Sequence, residues 1–223
     1  MDWYFMEGSV RTITALKVQK NRQRVNVFLD GRFAFGLLRS TAAQLRVGQR
    51  LTEKQVEQLL CEDRVDTLYQ QALRYLSFRP RSEQEMHRYL SSRETEERVR
   101  AQVLERLRTN GWLDDRRFAE QWVENRSAFR PRSKKALRLE LRQHGVQPAV
   151  VEQALQELDE EELAYLAVRK VLDRYRGLDR VTFQRRLQGF LVRRGFSYDI
   201  VPLVLHRCWQ ELHQNPGMER EEV

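Results

Sequence analysis

Cysteine is nearly absent. Cys61 and Cys208 are the only two in 223 residues, and each stands alone. That excludes a disulfide framework and any CxxC metal or redox motif, and a reducing, cytoplasmic setting is expected. No stretch approaches the roughly 18 apolar residues of a membrane span, so no membrane partner is expected. The opening residues Met1 to Met6 are apolar, but no basic segment precedes them and the run stops at Glu7. No signal peptide is expected. The four histidines, His87, His144, His206 and His213, do not fall at ligand spacing with cysteines or carboxylates. Neither a metal nor a cofactor is expected. The Gly-rich GxxxxGK phosphate loop, GxSxG and HExxH are all missing. Asp114-Asp115 and Glu160-Glu161-Glu162 are the nearest approach to paired catalytic carboxylates. Each sits at a predicted helix start, where capping and the helix dipole explain it. The chain is expected not to be an enzyme.

Lysine is scarce too. It occurs six times among 40 basic residues, so the other 34 are arginine, and the net charge is +8. This balance favours polyanions or acidic partners and says nothing about fold. Arginine presents five donors in a planar, weakly hydrated fork, which suits phosphate and carboxylate. A codon bias toward arginine would produce the same excess.

What is present is a repeat. Phe78-Arg79-Pro80-Arg81-Ser82 recurs as Phe129-Arg130-Pro131-Arg132-Ser133. From about residue 64 apolar residues follow a helical period. Leu68, Ala72, Tyr75 and Leu76 form one stripe, stopped by Pro80. Ser82 and Glu85 have capping-box spacing and open the next helix over Met86, Tyr89 and Leu90. Val99, Val103, Leu104 and Leu107 form a third stripe, closed by Asn110-Gly111. The cycle recurs twice, with Leu90, Leu141 and Leu191 at equivalent positions. Trp122 is expected on a buried helix face, where truncation to Ala would cost about 3–5 kcal/mol.

Ahead of the repeats, Val25, Val27 and Leu29 alternate with polar residues, as do Phe33, Phe35 and Leu37. Asp30-Gly31 between them signals a two-residue hairpin. Ile13 to Val18 supplies a further strand, linked by a basic tip at Lys20 to Arg24. Thr52 and Gln55 have capping-box spacing and predict a short helix.

The predicted fold is therefore mainly α. Tandem three-helix repeats form an elongated, curved rod, preceded by a small β-rich N-terminal unit. The expected boundaries are 1–63 for that unit, 64–112, 113–158 and 159–212 for the repeats, and 213–223 for a frayed tail. Repeats of this size bury little alone and must share surfaces. No coiled-coil heptads demand self-association, so a monomer is expected.

The candidate partner-binding residues are the basic corners beside helix starts: Arg79, Arg81, Arg130, Arg132, Lys134 and Lys135. Arg185, Arg186, Arg193 and Arg194 supply the charge in the third repeat. Main-chain N–H groups at such positions also attract anions. The competing reading is a solvated charged face with ion pairs along each helix. Residues 141–150 have the form of a helix–turn–helix junction, with Gly145 in the turn. The second helix is too apolar to read base edges and is expected to pack.

The ordered landmarks resemble the RecX family, bacterial modulators of the RecA recombinase. They are Ala72, Tyr75-Leu76, Arg79, Ser82, Glu85, Leu90, Leu107, Gly111, Leu113, Asp115 and Phe118-Ala119, then Glu140-Leu141, Gly145-Val146 and Gly195-Phe196-Ser197-Tyr198. The resemblance spans roughly residues 65 to 210. It implies a non-enzymatic regulator that lies in the groove of the RecA–single-stranded-DNA filament. Such a protein restrains filament extension, ATP hydrolysis and strand exchange, hence DNA repair and recombination. The expected sign is inhibition. The sequence departs from perfect repetition: Ala136 replaces the capping-box Glu in the second copy, and the third repeat lacks the pentapeptide. The alternative is a sequence-nonspecific DNA-binding protein, with single- or double-stranded DNA as its direct partner.

Overall fold

The computed structural model describes residues 10–20, 22–93 and 95–214. Residues 1–9 of the expected N-terminal unit, Asn21 of its basic tip and the expected tail beyond 214 lie outside the described residues. Two compact units emerge. The first runs through Arg81 and resumes at Met86–Leu113; the second comprises Ser82–Glu85 and everything from Asp114.

The first unit opens with an antiparallel sheet of β1 (Val10–Val18), β2 (Arg24–Leu29), β3 (Arg32–Leu38) and β4 (Arg50–Thr52), in the order β3-β2-β1-β4. Val25, Val27 and Leu29 bury one face of β2, as their alternation predicts. Asp30 and Gly31 both take positive φ, the requirement of a tight hairpin. Phe33 departs from the expected pattern. It is exposed, set edge-on to Phe28 with centroids 6.0 Å apart, because the β2–β3 register shifts at Val27/Phe28. A bulge of this kind turns the residues beyond it off the regular alternation. The short α1 (Arg39–Ala42) and β4 carry no strong periodicity and have no counterpart in the sequence expectations.

The capping box at Thr52 and Gln55 is present. The helix it opens is not short: α2 runs unbroken from Glu53 to Leu76. Its first half packs on the sheet, through Val56 and Leu59. Its second half, with Leu68, Tyr69 and Ala72, packs on α3 (Glu83–Ser91) and α4 (Glu97–Thr109). A buried carboxylate pins the helix to the sheet. Asp63 accepts from the Leu38 N–H and from Arg24 Nη2 at 2.7 Å. Such a charge is retained inside only when its partners satisfy it.

The later helices repeat the three-helix arrangement. α5 (Asp115–Phe129), α6 (Lys134–Gln143) and α7 (Pro148–Leu155) enclose Phe118, Ala119, Val123, Leu137, Leu141, Val151 and Leu155. α8 (Glu160–Arg169), a 3-10 turn (Leu172–Tyr175), α9 (Arg180–Arg193) and α10 (Val201–Gln214) enclose the third core around Phe183, Leu187 and Leu191. Leu90, Leu141 and Leu191 are all fully buried. Asp114, Asp159 and Asp179 cap α5, α8 and α9 through their carboxylates. Trp122 is only half-buried. Its indole Nε1 donates to Glu140 Oε2 at 2.9 Å. The chain is thus mainly helical, with tandem three-helix domains behind a small sheet.

Candidate partner interface

The two pentapeptide copies are divided between inner and outer halves. The serines are fully buried. Ser82 Oγ accepts from the Glu85 N–H at 3.2 Å and donates to the main-chain carbonyl of His144. Ser133 Oγ accepts from the Ala136 N–H at 3.1 Å, and the Ser133 N–H donates to the carbonyl of Arg194 at 3.2 Å. His144 and Arg194 are the C-caps of α6 and α9.

The glycine after each C-cap explains why the serine can sit there. Gly145 (φ +83°) and Gly195 (φ +88°) both occupy the left-handed region. A Cβ on Gly145 would lie 2.4 Å from Gln84 Cβ, and one on Gly195 2.6 Å from Ser133 Oγ. Borrowed carboxylates complete each seat. Asp115 accepts from the Glu83 N–H at 2.8 Å, and Glu160 from the Lys134 N–H at 3.1 Å. So the first residue of α5 and of α8 satisfies an orphan donor at the start of an earlier helix. The two seats are built alike except in one bond: the Ser82 hydroxyl donates to its C-cap carbonyl, whereas at the second seat the Ser133 main-chain N–H does so.

The outer halves face water. Phe78 and Phe129 are 74% and 72% exposed, and Arg79 and Arg130 beside them are exposed too. The remaining predicted residues separate into distinct environments. The Arg81 guanidinium lies 4.0 Å over the Tyr75 ring. Arg132 is half-buried, with Nε 3.2 Å from Glu140 Oε1. Glu140 also takes Arg126 Nε at 2.8 Å, so it gathers two guanidinium groups and an indole. Lys134 is half-buried at the α6 start, and Lys135 is exposed.

Arg194 turns inward. Its guanidinium lies 4.4 Å over Phe190, and Nη1 donates to the Pro131 carbonyl at 3.4 Å. Burial pulls its pKa below the usual arginine value, and the nearby charges of Arg132 and Arg130 lower it further. Arg130, Arg132 and Arg194 thus share one basic neighbourhood.

Arg185, Arg186 and Arg193 point elsewhere. They line a cleft of about 450 Å³ along α9, together with Gly189 and with Arg174 and Tyr175 of the 3-10 turn. The expectations drawn from sequence missed Arg174, because nothing in local spacing ties a 3-10 turn to a helix face. Glu140 figured in them only as a landmark; its role shows once α5, α6 and the second pentapeptide meet. A larger cleft, about 1280 Å³, lies in the first unit between α1, α2 and α4. Two of the arginines that line it are engaged: Arg64 with Glu96, and Arg106 with Asp66. Among the described residues no group of histidines, cysteines and carboxylates could hold a metal, and no helix is long and apolar enough to cross a membrane.

The chain matches four family models in order: the regulatory protein RecX N-terminal domain over residues 11–52, then the RecX first, second and third three-helix domains over 69–107, 114–155 and 159–201. It is 30% identical over 216 residues to the regulatory protein RecX of Bacillus pumilus, covering 94% of this chain and 81% of that one. It is also 30% identical over 215 residues to the regulatory protein RecX of Bacillus subtilis, at 94% and 81% coverage. A crystal structure of regulatory protein RecX superposes with a TM-score of 0.68 at 28% identity, covering 87% of this chain and 98% of that one. The chain belongs to the RecX family of regulatory proteins.

Proposed function

We propose that this chain is a non-enzymatic regulator of RecA that binds the RecA–single-stranded-DNA filament and inhibits its extension, ATP hydrolysis and strand exchange. Family membership supports the regulatory role. One structural observation supports binding by repeated contacts: an exposed Phe–Arg pair stands at the same place in two successive repeats, each held by a buried serine. A large aromatic side chain left in water twice over contributes little to packing. Aromatic and arginine side chains dominate the energetics of protein interfaces.

Physically, two or more modest contacts on one chain act together. The second contact forms at the effective concentration set by the first, so avidity replaces a deep pocket. A chain that bridges successive RecA protomers would change filament growth without any covalent step. Arg79 and Arg130 act at the filament beside Phe78 and Phe129. Arg81, Arg132 and Arg194 chiefly shape the corners that present them.

The test is ATP hydrolysis by the cognate RecA on single-stranded DNA, titrated with this protein. Inhibition at concentrations well below those that coat bare DNA is the expected result. Unchanged hydrolysis and strand exchange at saturation would defeat the proposal.

A further inference from the structure

Two tyrosines of the first three-helix domain are stacked between two arginines. Tyr75 stands in the last turn of α2 and Tyr89 in α3. Their ring centroids lie 4.0 Å apart, and the ring planes differ by only 5°. The Arg81 guanidinium covers the free face of Tyr75 at 4.0 Å, and that of Arg93 covers the free face of Tyr89 at 4.6 Å. Among the described residues no other two tyrosine rings are in contact.

The separation is tighter than the about 4.5–7 Å usual for aromatic pairs, whose electron-rich faces repel at close range. A guanidinium on each free face draws electron density outward and offsets that repulsion. The Tyr89 hydroxyl also donates to the Gln71 carbonyl at 3.4 Å, which fixes the ring on α2. Both rings are only half-buried, so small solutes reach the stack.

We infer that Tyr75 and Tyr89 form a site of oxidative coupling, at which a one-electron oxidant of the kind that peroxides generate joins the two rings as dityrosine. Each phenol gives up one electron to the oxidant and its hydroxyl proton to water. The two phenoxyl radicals pair their odd electrons in a carbon–carbon bond between positions ortho to the oxygens. The hydrogen on each joined carbon then passes through water to the phenol oxygen, and both rings regain aromaticity. The chain loses two hydrogen atoms in all, and the oxidant gains two electrons. Because the rings are already in contact, the coupling step is effectively unimolecular. The rings swing apart about the new bond, and the exposed Arg93 side chain has room to follow.

The link ties the end of α2 to α3 and closes the segment that carries Phe78 and Arg79. A closed segment has fewer conformations than an open one. Oxidation thus restricts the backbone that presents the first exposed Phe–Arg pair. The inference does not rest on the filament proposal, because both reactants belong to this chain.

The experiment photolyses the full chain at low concentration with peroxodisulfate, which takes up both electrons and leaves as two sulfates. Trypsin then cuts after Arg81 and Arg88, so only a covalent link keeps the Tyr75 and Tyr89 peptides together in mass spectrometry. The expected product is that pair of peptides, lighter than the sum of its parts by two hydrogen atoms. Tyr75→Phe and Tyr89→Phe keep the rings and remove the hydroxyls, so each should abolish the product with helical content unchanged. Tyr198→Phe, at an exposed tyrosine outside the stack, should leave the yield as it is. In urea the stack is lost, and the yield should fall to that of chance pairs among the seven tyrosines. Equal yields from the folded and the urea-unfolded chain would overturn the site. So would the absence of the link from the folded chain, or links from Tyr75 and Tyr89 to other tyrosines as frequent as the link between them.

Discussion

Ser82 and His144, 62 residues apart in the chain, are joined by a hydrogen bond from the serine hydroxyl to the histidine main-chain carbonyl. A related seat recurs where the Ser133 main-chain N–H donates to the carbonyl of Arg194. In both places the helix C-cap is followed by a glycine whose missing side chain makes room. The pentapeptide is therefore two things at once: its serine fixes tertiary structure, and its first two residues stay in solvent.

The seats should be sensitive to a single methyl group. Gly145→Ala forces a left-handed backbone on alanine, which costs about 1–2 kcal/mol. It also drives a Cβ into Gln84. A total loss of about 2–4 kcal/mol is expected. Gly111 has φ +70° but nothing within 4 Å of a Cβ, so Gly111→Ala should cost only the backbone share, about 1–2 kcal/mol. Urea denaturation followed by circular dichroism compares them. Equal losses would mean that the close approach to Gln84 contributes nothing.

Glu140 should matter more than an ordinary surface carboxylate. It serves Trp122, Arg126 and Arg132 with its side chain only 15% exposed. Glu140→Ala strands the Trp122 and Arg126 donors and takes the countercharge from Arg132, and should cost about 1–3 kcal/mol. Glu152→Ala, which breaks an exposed fork with Arg138, should cost under about 1 kcal/mol. Tryptophan fluorescence during unfolding reads both, and the reverse order would refute the assignment.

The exposed Phe–Arg pair offers a clean separation of stability from binding. Phe129→Ala with Arg130→Ala should shift unfolding by less than about 0.5 kcal/mol, as surface changes do. It should raise the concentration needed to inhibit RecA ATPase by about tenfold. Arg132→Ala should instead lower stability, through its half-buried contact with Glu140. Inhibition unchanged by the double variant would assign the whole pentapeptide to structure.

The two cysteines should differ in reactivity. Burial pushes the Cys208 thiol up to about 12, with the Glu211 charge adding to the shift. The nucleophilic thiolate is therefore scarce at neutral pH. Cys61 is half-buried on α2. Iodoacetamide should modify Cys61 first and reach Cys208 only once denaturant opens the third core. Mass spectrometry after brief labelling locates the adduct. Early modification of Cys208 would contradict a closed core.

Much of this molecule is written in local pattern. Helical stripes, capping boxes, the Asp30-Gly31 hairpin and the equivalence of Leu90, Leu141 and Leu191 rest on spacing within a few residues or on the repeat period. Those features reflect backbone hydrogen bonding and one-sided burial, which operate over short range. Misreadings arose where a distant partner decides. α2 runs unbroken past residue 63, and buried Asp63 ties it there to the sheet through Leu38 and Arg24. Trp122 is half-buried, with its indole tied to Glu140, 18 residues away in the chain. Truncating it to Ala should therefore cost about 2 kcal/mol, below the range for a core tryptophan.

The candidate site shows the same divide. Sequence alone determined that arginines cluster at repeated corners, because composition and repetition need no coordinates. Which of those arginines face solvent was decided only by tertiary structure. Arg194 lies over Phe190, Arg81 over Tyr75 and Arg132 beside Glu140, while Arg174 joins Arg185, Arg186 and Arg193 around one cleft. The physical reason is range. A guanidinium chooses among ring faces, carboxylates and open water only after residues far apart in the chain have been brought within a few ångströms of it.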